Sequence, residues 1–290
     1  MPRTSVVTDT TGYLPPDVVE ANQITLVSLY VNWGGERTER EADITDIEAF
    51  MEELRVGEQL PTTSQPSVGD FVEAYEPLLA GGGEVVSVHI SGGISGTVEA
   101  ARQAAEALER DGKGGERVRI LDSATAAGGL GMVAMAAAKS AREGNDGAQV
   151  LADAQAARAA LKMWFSIDTL EFLKRSGRIG GAAAWIGSTL KIKPILTLES
   201  EMTPVERVRT SKRAFERMVH YARQRKDSGA DGWVVQHIQA AEQAERLIAE
   251  CREQVFGTDP VFVSEVGPVL AAHTGPGLLG VGGVPRSMLE

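Results

Sequence analysis

The chain has 290 residues, of which 43% are hydrophobic and 24% are charged, a composition that excludes a disordered or collagen-like protein and suits one large or two ordinary domains. Lys and Arg number 29 against 40 Asp and Glu, a formal net charge of −11, which argues against a nucleic-acid partner because phosphate backbones attract basic proteins. The single cysteine, Cys251, and the four histidines argue against an internal disulfide and against a Cys-rich or His-rich metal site. The sequence predicts no cofactor.

The N-terminal segment does not have the pattern of a secretion signal. Asp9 follows Val6 and Val7 closely, before an apolar signal-peptide core could build. The most apolar stretch, residues 128–138, is followed at once by Lys139 and is too short to span a bilayer. We therefore expect a soluble, cytoplasmic protein without stable membrane insertion.

Short β-branched runs alternate with Ala-rich helical stretches along the chain, which predicts an α/β fold. In the first half, the predicted strands cover residues 4–8, 24–31, 84–90 and 118–121, and the predicted helices cover residues 15–21, 46–54, 68–79, 97–109, 129–142 and 148–160. Residues 32–36 read as a turn, so that 37–41 return as the second arm of a protruding hairpin over 24–41.

The second half repeats the mixed pattern after a boundary near residue 160. Its predicted strands are 163–167, 193–198, 203–208, 232–238 and 261–264, and its predicted helices are 169–174, 180–190, 212–224 and 239–253. From Gly267 onward the chain is rich in Gly and Pro and ends in a last strand.

Two segments of the first half carry hydroxyl groups where a ligand could be held. Residues 61–67 contain two prolines and several hydroxyl side chains, which predicts a loop. Residues 91–96 form a glycine-rich turn between a strand and the helix at 97–109, where exposed backbone N–H groups favour anions. Taken alone, residues 61–67 also have a purely structural interpretation, because Ser67 suits the N-cap of the next helix.

Several blocks stand in one order along the chain: residues 8–11 with 14–15, 63–67, 94–97, 168–174 with 177–180, 192–196 and 273–277. Taken together, they resemble the DegV family. The resemblance implies two α/β domains, 1–160 and 161–290, with a ligand site at their junction. It also implies a carrier of a long-chain fatty acid, which performs no chemistry itself and presents the acid's carboxylate to a separate fatty acid kinase catalytic subunit for acyl-phosphate formation.

The same resemblance assigns the head-group residues. It implies that Thr63 and Ser95 hold the carboxylate, with His273 and Arg178 completing the polar network. Hydroxyl and imidazole groups are suitable donors to a desolvated carboxylate, and the amides near Gly96 and Thr97 add donors from a helix N-terminus. The sequence departs from the family pattern at three places, which are Gly92, Val98 and Tyr13.

Three other interpretations remain open at the level of the sequence. A serine hydrolase would use Ser95 and His273 with Asp122 or Asp168, although the turn around Ser95 lacks the second glycine of a nucleophile elbow. A nucleotide-binding protein would use the glycines of residues 129–134, although the preceding strand ends several residues earlier. A pure interaction module would use Tyr30 and Trp33 on the predicted hairpin.

Overall fold

The computed structural model describes residues 3–34, 37–57, 60–186 and 192–290. Its strands form a four-stranded, a six-stranded and a three-stranded sheet, and helices cover the two larger ones. The predicted α/β class is confirmed. Within the described ranges, no helix combines the length and the apolar character needed to cross a membrane.

Most predicted elements are observed with ends shifted by one to three residues. The strands are β1 (Thr4–Asp9), β2 (Ile24–Val27), β3 (Tyr30–Asn32), β4 (Thr38–Arg40), β5 (Thr62–Ser64), β6 (Glu84–His89), β7 (Val118–Asp122), β8 (Lys162–Ser166), β9 (Lys193–Glu199), β10 (Glu201–Val208), β11 (Gly232–His237), β12 (Phe262–Glu265) and β13 (Leu279–Val284). The α-helices are α1 (Pro16–Asn22), α2 (Ile47–Val56), α3 (Val68–Leu79), α4 (Thr97–Arg110), α5 (Gly128–Arg142), α6 (Gly147–Ala160), α7 (Glu171–Arg175), α8 (Ser211–Asp227), α9 (Ala241–Cys251) and α10 (Pro268–Thr274).

The four-stranded sheet is parallel, with the order β2-β1-β6-β7. Successive side chains of a strand point to opposite faces, and both faces of this sheet are buried. Val7 packs with α3 and α4 on one face, and Val6 packs with α5 and α6 on the other. The carboxyl ends of all four strands therefore meet at one edge, where loops can gather polar groups.

The six-stranded sheet is mixed, with the order β10-β9-β8-β13-β11-β12. Only β11 and β12 are parallel, and the other pairs are antiparallel. Helices α8 and α9 cover one face through a cluster that includes Phe215, Trp233 and Leu247. Helix α5 lies between this sheet and the four-stranded one, because its apolar residues share a cluster with Met163 and Val234.

The three-stranded sheet corrects two predictions. The predicted strand over 24–31 divides into β2, which joins the parallel sheet, and β3, which pairs with β4 on one side and β5 on the other. The hairpin therefore forms from Tyr30 onward, but it does not protrude, because Val31 is fully buried and packs with Phe50 of α2. The segment 61–67, predicted to be a loop, supplies β5.

Two further predictions in the second half need correction. The helix predicted over 180–190 is a short 3₁₀ segment at Gly180–Trp185, which ends because Ile186 has an extended backbone with a ψ of 139° that a helix does not allow. Residues 187–190 lie outside the described part. The Gly- and Pro-rich segment after Gly267 contains α10, with Pro268 in its first turn and Gly275 just after its end, the positions that these residues favour in helices.

Candidate functional site

A small cavity lies beyond the carboxyl ends of β2 and β6 and has a volume of about 60 Å³. Its walls combine a polar and an apolar set of side chains. The polar set is Thr63, Ser64, Gln65, Ser95, Gly96, Arg178, His273 and Thr274, and the apolar set is Leu29, Ile90, Ile94, Leu173, Met202, Val269 and Leu270. Five of the six predicted site residues therefore line one cavity, and the sixth, Thr97, does not.

The contact between Thr63 and His273 joins two distant parts of the chain. Thr63 Oγ1 lies 2.7 Å from His273 Nε2, although 210 positions separate the residues in sequence. Strand β5 carries Thr63, and the last turn of α10 carries His273. A hydroxyl and an imidazole are thus brought to hydrogen-bond distance at the cavity wall.

His273 is nearly buried, with 9% of its surface exposed. Burial, reinforced by the charge of Arg178, lowers the pKa of His273 to about 4, so the imidazole is neutral near pH 7. Its Nδ1 atom has no hydrogen-bond partner among the described residues. A buried unpaired nitrogen costs free energy, and a bound polar ligand that supplied its partner would remove that cost.

Ser95 lies in the turn before α4. Its Oγ is 2.8 Å from Thr97 Oγ1 and accepts a bond from the Thr97 amide at 3.4 Å. Thr97 is fully buried, so it contacts Ser95 rather than the cavity, which corrects its predicted place at the site. Gly96 does line the cavity, and a Cβ there would lie 3.1 Å from the side chain of Gln65.

The turn that carries Ser95 is held by a loop from the six-stranded sheet. Ser91 Oγ donates a hydrogen bond to the carbonyl oxygen of Ser200, which lies between β9 and β10. The Ser200 amide in turn donates to the carbonyl of Ala124 at 3.0 Å. Gly93 passes so close that a Cβ there would lie 2.2 Å from the Ser200 oxygen. Loops of the two larger sheets are thus in direct contact beside the cavity.

Arg178 lies at the rim of the cavity and is exposed to solvent. Its Nη1 donates to the carbonyl of Ser176 at 2.6 Å, and its amide donates to the carbonyl of Leu173 in the middle of α7. The guanidinium therefore supplies a permanent positive charge beside the nearly buried imidazole of His273 without closing the cavity.

Several cavity residues were not assigned from the sequence. Gln65 lies inside the block 63–67, so that block was the available signal for it. Met202 comes from β10 and Leu270 from α10, and neither stands in a pattern that indicates a ligand. Their place at the cavity follows from the packing of three sheets, which local periodicity does not encode.

The structure does not support the serine hydrolase interpretation. Asp122 Oδ1 accepts bonds from the amides of Gly92 and Ala124, and Asp168 pairs with Lys193. Neither carboxylate contacts His273, whose Nδ1 is unpaired within the described ranges. A triad needs an acidic group on that nitrogen to orient the imidazole.

An Asp–His–Ser chain does occur elsewhere, deep inside the four-stranded sheet. His89 Nδ1 is 3.0 Å from Asp9 Oδ2, its Nε2 is 2.6 Å from Ser87 Oγ, and Tyr75 donates to Ser87 at 2.7 Å. All four side chains are fully buried, so no substrate reaches the serine. The chain satisfies polar groups of the core.

The nucleotide-binding interpretation also fails, because the glycines of residues 129–134 lie in the buried body of α5. A Cβ at Gly131 would lie 2.8 Å from Leu14 and 3.0 Å from Phe262. The small residues therefore let the helix pack closely between two sheets.

The chain is similar to known proteins over nearly its whole length. The family model for uncharacterised proteins of the DegV family matches residues 3–286. A DegV domain-containing protein of Streptomyces coelicolor is 37% identical over 279 residues, covering 96% of each chain.

Two solved structures are similar over nearly the whole fold. A DegV family protein from Thermus thermophilus, described as fatty acid binding, is 35% identical with a TM-score of 0.87 and covers 98% of this chain and 99% of its own. DegV from Bacillus subtilis, described as a fatty acid binding protein, is 31% identical with a TM-score of 0.83 and covers 97% and 99%. The match of sequence, fold and extent shows that this chain belongs to the DegV family.

Proposed function

We propose that this protein is a carrier that binds a long-chain fatty acid, with the carboxylate in the cavity between Thr63, Ser95 and His273. The observation that carries the proposal is the 2.7 Å contact between Thr63 and His273 at a cavity that Ser95 and Arg178 also line. The described fatty-acid binding of the Thermus thermophilus and Bacillus subtilis relatives supports it.

The chemistry of the cavity suits a carboxylate. A desolvated carboxylate needs donors in place of water. Two hydroxyls and the single N–H of a neutral imidazole offer three once the bond between Thr63 and His273 gives way to the ligand. The unpaired Nδ1 of His273 gives the imidazole a second polar atom for the ligand or for its proton. Arg178 adds an attractive charge from the rim, where it does not lock the ligand in a bidentate pair.

The acyl chain requires more space than the head-group cavity offers. Pockets that bury ligands of this size usually measure about 300–1,000 Å³, and the cavity measures about 60 Å³. Behind the polar wall, Leu29, Leu173, Met202 and Val269 belong to one apolar cluster. We infer that the chain enters by separating these side chains, and that burial of its methylenes, each worth about 0.8 kcal/mol, offsets the loss of their packing.

The site also suits a junction between two domains, 1–160 and 161–290. Thr63 and Ser95 come from the first part, and Arg178 and His273 come from the second. This arrangement lets relative movement of the two parts open the cavity. We place this carrier in the cytoplasm, where a kinase and its nucleotide are available.

Mass spectrometry of organic extracts tests the binding function. We expect the purified protein to release a long-chain fatty acid in amounts comparable with the protein, since a buried chain survives aqueous purification. An unrelated protein purified in parallel is the control. Absence of lipid, together with no binding of an added fatty acid, would exclude the carrier function.

The second half of the proposal is that a separate fatty acid kinase phosphorylates the presented carboxylate, because the cavity itself lacks a group that activates it. We expect Arg178→Ala to slow transfer to the kinase by about tenfold, since a rim charge stabilises the developing acyl phosphate. Fatty-acid binding should weaken less than transfer.

Arg175→Ala is the matched control for this experiment, because Arg175 is an exposed cation on α7 that does not line the cavity. Kinase transfer assays and lipid-retention assays on both variants give the comparison. Equal losses of binding and transfer in Arg178→Ala would contradict its role in handover.

A further inference from the structure

We propose that Glu41 and Tyr13 are positioning residues that hold α10, and through it His273, at the head-group cavity. The proposal rests on the fatty-acid-binding function and adds residues that lie outside the cavity wall. Its basis is a buried network at the start of the helix that carries His273 at its other end.

The first turn of α10 is capped from a distant part of the chain. Gly267, at the N-cap position, has no side chain to offer. Instead, Glu41 Oε1 accepts a hydrogen bond from the Val269 amide at 2.8 Å, although 228 positions separate the two residues. The first backbone amides of a helix have no partner within the helix and need such acceptors. The helix dipole also favours a carboxylate at this position.

Tyr13 completes this cap. Its hydroxyl donates to Glu41 Oε1 at 2.6 Å and accepts from the Leu270 amide at 3.2 Å. Thr10 Oγ1 donates to the other oxygen of Glu41. Gly267 leaves the necessary room, because a Cβ there would lie 2.8 Å from the Tyr13 ring.

The burial of Glu41 indicates that its carboxylate orients α10 rather than adding general stability to the fold. Glu41 is 5% exposed, and burial raises its pKa while bonds from Thr10, Tyr13 and Val269 act in the opposite direction. Burying a carboxylate costs free energy that an apolar side chain would not incur. What the carboxylate provides here is a fixed acceptor for the helix amide, which sets the axis of α10.

The small sheet thus attaches α10 at both ends. Glu41 directly follows β4 and holds the first turn, and Thr63 on β5 holds the last turn through His273. A ligand carboxylate that takes over the hydrogen bonds of Thr63 and His273 weakens the second attachment. The cap at Glu41 and Tyr13 then keeps the imidazole in place during binding.

Titration with a fluorescent long-chain fatty acid, cis-parinaric acid, tests the proposal. We expect Glu41→Ala to weaken binding about tenfold and Tyr13→Phe by a smaller factor, because misplacing one buried donor has about the effect of losing its hydrogen bond. Glu41→Gln should recover most of the affinity, since its amide oxygen still accepts from Val269. If Glu41→Ala does not fold, the affinity of Tyr13→Phe provides the test.

A double-mutant cycle separates positioning from stability. In a His273→Ala background, Glu41→Ala should change the affinity less than about twofold, because the effects of two substitutions that act through the same group do not add. Leu247→Ala, in the core between α9 and β11, is the control, and it should lower the melting temperature without changing the affinity.

The outcomes distinguish this inference from the function on which it rests. Wild-type affinity in both Glu41→Ala and Tyr13→Phe, or losses that multiply with that of His273→Ala, would overturn the positioning role. Failure of the wild-type protein to bind the probe would instead overturn the proposed function.

Discussion

Replacing His273 with alanine is expected to weaken fatty-acid binding by about 10- to 100-fold, the effect of about 1.5–3 kcal/mol for a lost hydrogen bond to a charged group. The imidazole is nearly buried and lies 2.7 Å from Thr63 Oγ1 at the cavity wall, so its removal takes one donor from the ligand carboxylate. Fluorescence titration with a long-chain fatty acid measures the change.

His220→Ala is the matched control for this substitution. His220 is an exposed histidine on α8 that bonds to Gln224, so its loss should leave the affinity unchanged. The His273 variant should stay folded, because the side chain borders an existing cavity rather than the centre of the core. Wild-type lipid retention in both His273→Ala and Ser95→Ala would contradict the head-group assignment.

Replacing Gly93 with alanine is expected to lower the free energy of unfolding by about 1–3 kcal/mol, the usual cost of forcing extra volume into a packed contact. The added Cβ would lie 2.2 Å from the backbone oxygen of Ser200, and backbone cannot rotate away as a side chain can. The turn that carries Ser95 or the loop at Ser200 must therefore shift, and fatty-acid affinity should fall as well.

Gly69→Ala provides the comparison for the glycine experiment. Gly69 lies in the first turn of α3, and a Cβ there would make only an ordinary contact of 3.5 Å with Ser67 Oγ. Since alanine favours helix over glycine by up to about 1 kcal/mol, this variant should be as stable as the wild type or more stable. Urea denaturation measures the free energy of unfolding of both variants. Equal stability of Gly93→Ala and the wild type would contradict the close contact.

Local patterns predicted most of the secondary structure because they act over a few residues. The alternation around β1 and β6 and the apolar spacing of α3 and α4 were sufficient for their boundaries. Two short elements, β5 and α10, were missed. Strand β5 is rich in hydroxyls and next to prolines, and it forms because β3 supplies partners for its backbone, a tertiary effect that overrides strand propensity.

The sequence by itself determined the α/β class and identified most of the polar residues that line the cavity. Motif blocks and hydrophobic periodicity are local patterns, so they can be recognised without a structure. Only the tertiary structure decided that Thr63 contacts His273, that Thr97 bonds to Ser95 without lining the cavity itself, and that Glu41 caps a helix 228 positions later. These contacts join segments far apart in the chain, and their distances depend on how three sheets pack together.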